Sequence, residues 1–269
     1  MPLDADPGKS FSGAMLGLFR RGVDSRPRAC APPGLVIYAV GDIHGRADLL
    51  AGLHRAILSD AARTADSKKL VVYIGDYVDR GADSRGVIDI LIGAPLTGFD
   101  YVFLMGNHEA TFLDFLEGIS VGSGWLRWGG EETLRSYGVL LSGLRDNPRA
   151  LAEAQSEIRS KLPAAHLAFL RGLSLSHQEG DYFFGHAGVR PGVPLQAQSP
   201  EDLMWIREPF LSSKANHGRV VVHGHSISRE VTFRPNRIGI DTGAYASGIL
   251  TCLVLEEDRQ RLLQTGNSA

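Results

Sequence analysis

Two cysteines, Cys30 and Cys252, stand near opposite ends of the 269-residue chain. They are too few for a disulfide framework, which suits a reducing compartment and leads to the expectation of a cytoplasmic protein. A basic excess is also lacking. The formal net charge is -2 and the pI is near 6.5, so no cationic footprint marks a nucleic-acid partner. No apolar run approaches the ~20 residues that a membrane-spanning helix needs, and no repeat of solenoid length is visible. A chain of this size can bury one large core, or a core with an inserted cap.

What the chain has is five short strings: Gly41-Asp42-Ile43-His44-Gly45, Gly75-Asp76-Tyr77-Val78-Asp79-Arg80-Gly81, Gly106-Asn107-His108-Glu109, Gly185-His186-Ala187-Gly188 and His223-Gly224-His225-Ser226. Each follows an apolar, largely β-branched or aromatic run: 35–40, 70–74, 101–105, 182–184 and 220–222. Such runs, bounded by glycine, read as buried strands. Donors from distant parts of the chain then gather at the carboxyl edge of a sheet, where α/β folds place their chemistry.

Helical spacing follows the first two strings, at Ala47 to Leu58 and Val87 to Leu91, so strand and helix alternate and the strands pair in parallel. Residues from about 111 to 180 carry helical patterns, including Leu151 to Ile158 and Leu162 to Leu170, and read as a helical insertion. Strand-rich sequence resumes at Asp181. The expected fold is α/β, two sheets packed together with helices outside. Residues 1–34, mixing Gly, Pro, Ser and Arg, read as an arm or tail. An apolar cluster at 11–21 within it is weighed as contact with a membrane surface or partner against simple packing on its own domain, and the second is favoured. Pro7-Gly8-Lys9-Ser10 is not a phosphate loop, since position 3 is Leu and no strand precedes it.

Asp42 and His44, two apart, face one way in extended backbone. Asp76 ends the next strand, and a carboxylate has two oxygens with which to bridge two cations. Asn107 adds a carbonyl oxygen, and His186 and His225 add imidazoles. Oxygen and nitrogen donors without thiolate favour Mn, Fe, Co, Ni or Zn over Mg or Ca. A metal-bound water acidified to a pKa near ~7 would supply a nucleophile without serine or cysteine. Arg80 and Arg207 suit a phosphate group, His108 is free to protonate a leaving oxygen, and Asp79 is placed to hold its imidazole. Spacing does not choose between His223 and His225. Trp125-Leu126-Arg127-Trp128-Gly129-Gly130 reads as packing, with a loop at the site entrance as the alternative. Tyr245 is expected at the pocket and Asp241 as a brace.

In motif order, Asp42/His44, Asp76/Asp79/Arg80, Asn107/His108, His186 and His225 resemble the phosphoprotein phosphatases of the calcineurin-like metallophosphoesterase superfamily, nearest the bacterial and bacteriophage-lambda-like branch. The resemblance runs from about Val36 to Leu255 and includes Trp205-Ile206-Arg207-Glu208. It implies a four-layer αββα sandwich spanning 35–257, with a tail at 258–269. It also implies one metal on Asp42, His44 and Asp76, and a second on Asp76, Asn107, His186 and His225. It selects His225 over His223, makes Asp79–His108 an acid dyad, and has Arg80 and Arg207 grip phosphate. The function implied is a serine/threonine or dual-specificity protein phosphatase using a metal-bridging hydroxide, with two divalent ions, Mn²⁺ first among them. A dinucleoside polyphosphate hydrolase is the alternative, disfavoured by Asp79 and Glu109. A catalytically inactive binding module would lack donors, and none is missing.

Overall fold

The computed structural model describes residues 29–93, 96–143 and 145–266; the cluster at 11–21 lies outside them. The chain runs β1 (Leu35–Val40), α1 (Ala47–Ala61), β2 (Lys68–Tyr73), α2 (Ser84–Ile92), β3 (Asp100–Phe103) and α3 (Asn107–Glu117). The insertion follows with α4 (Gly122–Trp125), a π-helical turn at Leu126–Gly130, α5 (Glu131–Ser136), α6 (Pro148–Lys161) and α7 (Ala164–Arg171). Then come β4 (Ser176–Glu179), β5 (Tyr182–Gly185), α8 (Pro200–Trp205), β6 (Val220–His223), β7 (Thr232–Arg234), β8 (Arg237–Gly239), α9 (Ala244–Ser247), β9 (Thr251–Glu256) and β10 (Arg259–Gln264).

Two five-stranded sheets form, ordered β10-β9-β1-β2-β3 and β4-β5-β6-β8-β7. The inner pairs β1–β2, β2–β3, β5–β6 and β6–β8 are parallel, while β9, β10, β4 and β7 add antiparallel partners. Alternation along β1 explains the layering. Val36, Tyr38 and Val40 face the helices with Leu50, Leu53 and Ile57 of α1, whereas Ile37 and Ala39 face Tyr182, Phe184 and Val222 of the other sheet. Each fully buried Leu or Ile here is worth about 2 kcal/mol of apolar transfer.

The two outer layers differ. Helices α1 to α7 cover the first sheet, but the second is covered by α8 and the segment carrying Ile206 and Phe210. The sandwich is thus αββα with one thin face. Among the described residues no helix is long and apolar enough to cross a membrane.

Two boundaries depart from expectation. Residues 258–269 are not simply a tail: Arg259–Gln264 pair antiparallel with β9 as the edge of the first sheet. Their exposed Arg259 and Gln260 hide the strand from a search for apolar runs, since one face of an edge strand meets water. The expected insertion also ends early, because 176–179 form β4, likewise polar and half-buried. Of the arm, residues 29–34 are tied to the sandwich. Ala31 is buried and donates to the Glu257 carbonyl, and Cys30 N–H donates to Asp181 Oδ2.

Candidate active site

Five of the parallel strands, β1, β2, β3, β5 and β6, each deliver a string at the carboxyl end. His44 follows β1, Asp76 follows β2, Asn107 and His108 open α3 after β3, His186 follows β5, and His225 follows β6. The backbone there is unusual: His44, Asp76, Asp79, Arg80 and His225 all have φ between 47° and 72°. Non-glycine residues rarely adopt that conformation, and such strain gathers at functional sites.

Asp76 is the meeting point. Its Oδ2 lies 3.4 Å from His44 Nε2 and 3.9 Å from His108 Nε2, while its Oδ1 lies 3.4 Å from His186 Nε2. Two sets of donors converge closely enough to hold a cation each: His44, Asp76 and His108, and Asp76, His186 and His225. His44 Nδ1 faces the Val78 carbonyl at 2.8 Å and His186 Nδ1 the Ile74 carbonyl at 2.8 Å. Carbonyls only accept, so the proton sits on Nδ1 and each Nε2 lone pair is turned toward Asp76. Asn107 Oδ1 lies 3.0 Å from His186 Nε2 and 2.9 Å from His225 Nδ1. Burial keeps these rings neutral: it lowers His44 and His225 to about 3 and lowers His186 as well.

Asp42 reaches the site from the seam between the sheets. Its Oδ2 accepts the His225 N–H at 3.0 Å, and a side chain on Gly224 would strike its Oδ1. Burial first, then the charges of Asp241 and Asp76, push Asp42 far above the usual carboxylate range, and burial raises Asp241 to about 6. Among the described residues, His225 Nε2 is buried without a hydrogen-bond partner. Neutral imidazole lone pairs, crowded carboxylates and an orphaned ring nitrogen are what a divalent cation satisfies, so the residues fit metal.

Beside Asp76, His108 Nδ1 bonds Asp79 Oδ2 at 2.6 Å. Burial alone would lower His108, but the Asp76 charge and the Asp79 hydrogen bond outweigh it and raise the imidazole above its ordinary value. Arg80 spreads its two terminal nitrogens 2.9 Å from His44 Nε2 and His108 Nε2, under the Tyr245 ring at 5.0 Å. Arg207 enters from the other side, where its Nη2 donates to the His225 carbonyl at 3.3 Å. A cavity of about 510 Å³ opens against Arg80, with Trp128, Ile227 and Tyr245 in its wall.

Sequence reasoning missed three groups. Glu109 accepts the backbone N–H groups of Asp76, Tyr77, Val78 and Gly106, tying the second and third strings together. Burial, then Asp76, raises it to about 8. Trp125 packs against Phe112 and Phe115 as expected, yet its Nε1 also donates to Asp79 Oδ2. Thr133 donates to Asp79 Oδ1. Glu three residues into a helix is a readable capping signal; for Trp125 and Thr133 no local signal exists. His223 is buried on Phe210 with Nδ1 near the Gly224 carbonyl, away from the donor sets.

Fold and site together define a metallophosphoesterase. The profile of the calcineurin-like phosphoesterases matches residues 35–247, and the chain belongs to that family. Serine/threonine-protein phosphatase 1 of Salmonella typhimurium is 29% identical over 223 residues, covering 80% of this chain and 89% of the relative. Serine/threonine-protein phosphatase 2 of Escherichia coli is 28% identical over 224 residues, covering 80% and 90%. A crystal structure proposed to be a diadenosine tetraphosphatase superposes with a TM-score of 0.59 at 22% identity, covering 90% of this chain and 99% of that one. At that identity the likeness speaks for the fold alone.

Proposed function

We propose that the protein is a metal-dependent phosphomonoesterase acting on phosphorylated serine or threonine side chains of proteins. One observation carries the reading: a single carboxylate, Asp76, presents one oxygen to His44 and the other to His186, beside a His108–Asp79 pair and Arg80. Asp42, His44, Asp76, Asn107, His186 and His225 would hold two divalent ions; the donor set favours transition metals over Mg or Ca, and the family resemblance puts manganese first. When bound, the ions supply an acidified water as nucleophile and positive charge for the phosphoryl oxygens.

The chain's own groups do the rest. Arg80 and Arg207 orient the phosphate, which their planar forks match. As water attacks phosphorus, the P–O ester bond breaks opposite it, and the departing oxygen takes the proton from His108 Nε2. Asp79 stabilises the imidazolium before that transfer. The products are the alcohol side chain and inorganic phosphate. Protein substrates are supported by the two phosphatase relatives, which this chain matches over nearly their whole lengths.

Steady-state kinetics on a phosphoserine peptide and on diadenosine tetraphosphate, under one metal, test the assignment. We expect higher kcat/KM for the peptide. A preference of about tenfold or more for the dinucleotide, 1.4 kcal/mol at the transition state, would move the protein to the dinucleotide hydrolases.

A further inference from the structure

The insertion folds its Trp125–Thr133 segment around a single corner of the site. Asp79 and Arg80 are consecutive non-glycine residues with φ of 72° and 66°, a strained pair that persists only where the surroundings impose it. Most of the imposing contacts come from the insertion, with Ser84 of α2 also accepting from the Asp79 N–H at 3.0 Å. Asp79 N–H donates to Thr133 Oγ1 at 2.8 Å, and Arg80 N–H donates to the Gly129 carbonyl at 3.1 Å. Gly129 has φ 109°, and a Cβ there would lie 2.6 Å from Arg80 N; one on Gly130 would enter the Trp125 ring. The paired glycines thus let the segment close on this corner.

The same segment fixes the Asp79 carboxylate. Thr133 Oγ1 donates to Oδ1 at 2.6 Å, and Trp125 Nε1 donates to Oδ2 at 2.9 Å, the oxygen that His108 Nδ1 also uses. Trp125 is fully buried between Phe112 and Phe115, so its indole cannot swing away. Packing alone would be served by any large ring. The N–H directed at the acid's own oxygen is a second, separate contribution.

We propose that Trp125 and Thr133 are positioning residues for proton donation. They lock the Asp79 carboxylate plane, and through it the His108 imidazole, so that Nε2 faces the leaving oxygen. The proposal rests on the reading of His108 as the proton donor. It makes the helical insertion a working part of the acid machinery, needed most for substrates with poor leaving groups.

The test uses the manganese-loaded full chain with Trp125→Phe, Thr133→Val, Thr133→Ser, His108→Asn and the double variant His108→Asn/Trp125→Phe. Each is assayed on a phosphoserine peptide and on p-nitrophenyl phosphate. Trp125→Phe and Thr133→Val should lower kcat on the peptide by about 10- to 100-fold, a fraction of the full acid contribution, with p-nitrophenyl phosphate falling less than about threefold and KM little changed. Thr133→Ser should restore activity, metal content should match wild type, and Trp125→Phe should add almost nothing in the His108→Asn background. Equal losses on both substrates, or additive losses in the double variant, would overturn the proposal. Should His108→Asn itself not discriminate between leaving groups, the reading beneath falls with it. His108→Asn discriminating while the positioning variants do not would sink the proposal alone. Where Trp125→Phe fails to fold, the Thr133 pair decides.

Discussion

At one corner of the site every polar group is held: Asp79 takes hydrogen bonds from Trp125, Thr133 and His108, and Glu109 takes four backbone N–H groups. At the seam between the sheets the opposite holds. His225 Nε2 is buried with no hydrogen-bond partner among the described residues, and the Asp42 and Asp241 carboxyls are buried against each other. An unpaired buried polar atom costs about 1–3 kcal/mol, so a fold that leaves a bare imidazole nitrogen beside crowded carboxyls holds a place for a ligand. On the proposed reading of His108 as proton donor, the corner keeps its geometry still. The seam is built to receive charge.

The most damaging change to this contrast is at Asp76, which serves both sides. Asp76→Ala should remove bound metal, read by elemental analysis, and lower kcat on the order of 10³-fold or more. Chelation and dialysis of the unaltered protein should do the same, with Mn²⁺ restoring more activity than Mg²⁺. Full turnover in the metal-free sample would break the seam's side of the comparison.

His108→Asn, at the corner, should lower kcat by about 10²–10⁴-fold while metal content stays level. Because His108 also stands within one of the two donor sets, loss of metal in this variant would merge the two regions into one. That grouping is the geometry's own result, whereas the family resemblance gives the position to Asp42.

Much of this was legible because the strings sit where apolar runs end, and buried parallel strands are apolar throughout. β10 and β4 were not, since exposure makes them polar. The roles of Trp125 and Thr133 were hidden for another reason: their partner, Asp79, lies 46 and 54 residues upstream. Nothing in local spacing reports a contact that only the docked insertion creates. Spacing left His223 and His225 open and the family resemblance alone selected His225; in the structure it is His225 that turns to φ 60° and lies beside Asn107.

Arg207 gives a smaller effect. It is held by one 3.3 Å hydrogen bond, so Arg207→Ala should cost about 10- to 100-fold in kcat/KM through both binding and turnover. Normal kinetics would restrict phosphate binding to Arg80. The mildest test lies outside the site. Burial lowers His54, bonded through Nε2 to the Tyr73 hydroxyl at 2.7 Å, to about 4. The unfolded chain takes up that proton near its ordinary value of about 6.5 and the folded one does not. Stability from this group is present above about 6.5 and lost as pH falls toward 4. His54→Gln should flatten the decline by about 1–2 kcal/mol in denaturant titrations. An unchanged slope would mean that the ring titrates freely.

The donors that converge on Asp76 run from residue 44 to residue 225 and come from both sheets. No fragment containing one sheet carries the whole set. During folding, the set of His44, Asp76 and His108 can assemble on the first sheet alone, whereas the set of Asp76, His186 and His225 has to wait for closure of the sandwich. Once the sheets have met, an ion bound to both fastens them, and separating them means releasing it. Available metal then sets how long the closed protein lasts as well as how fast it works.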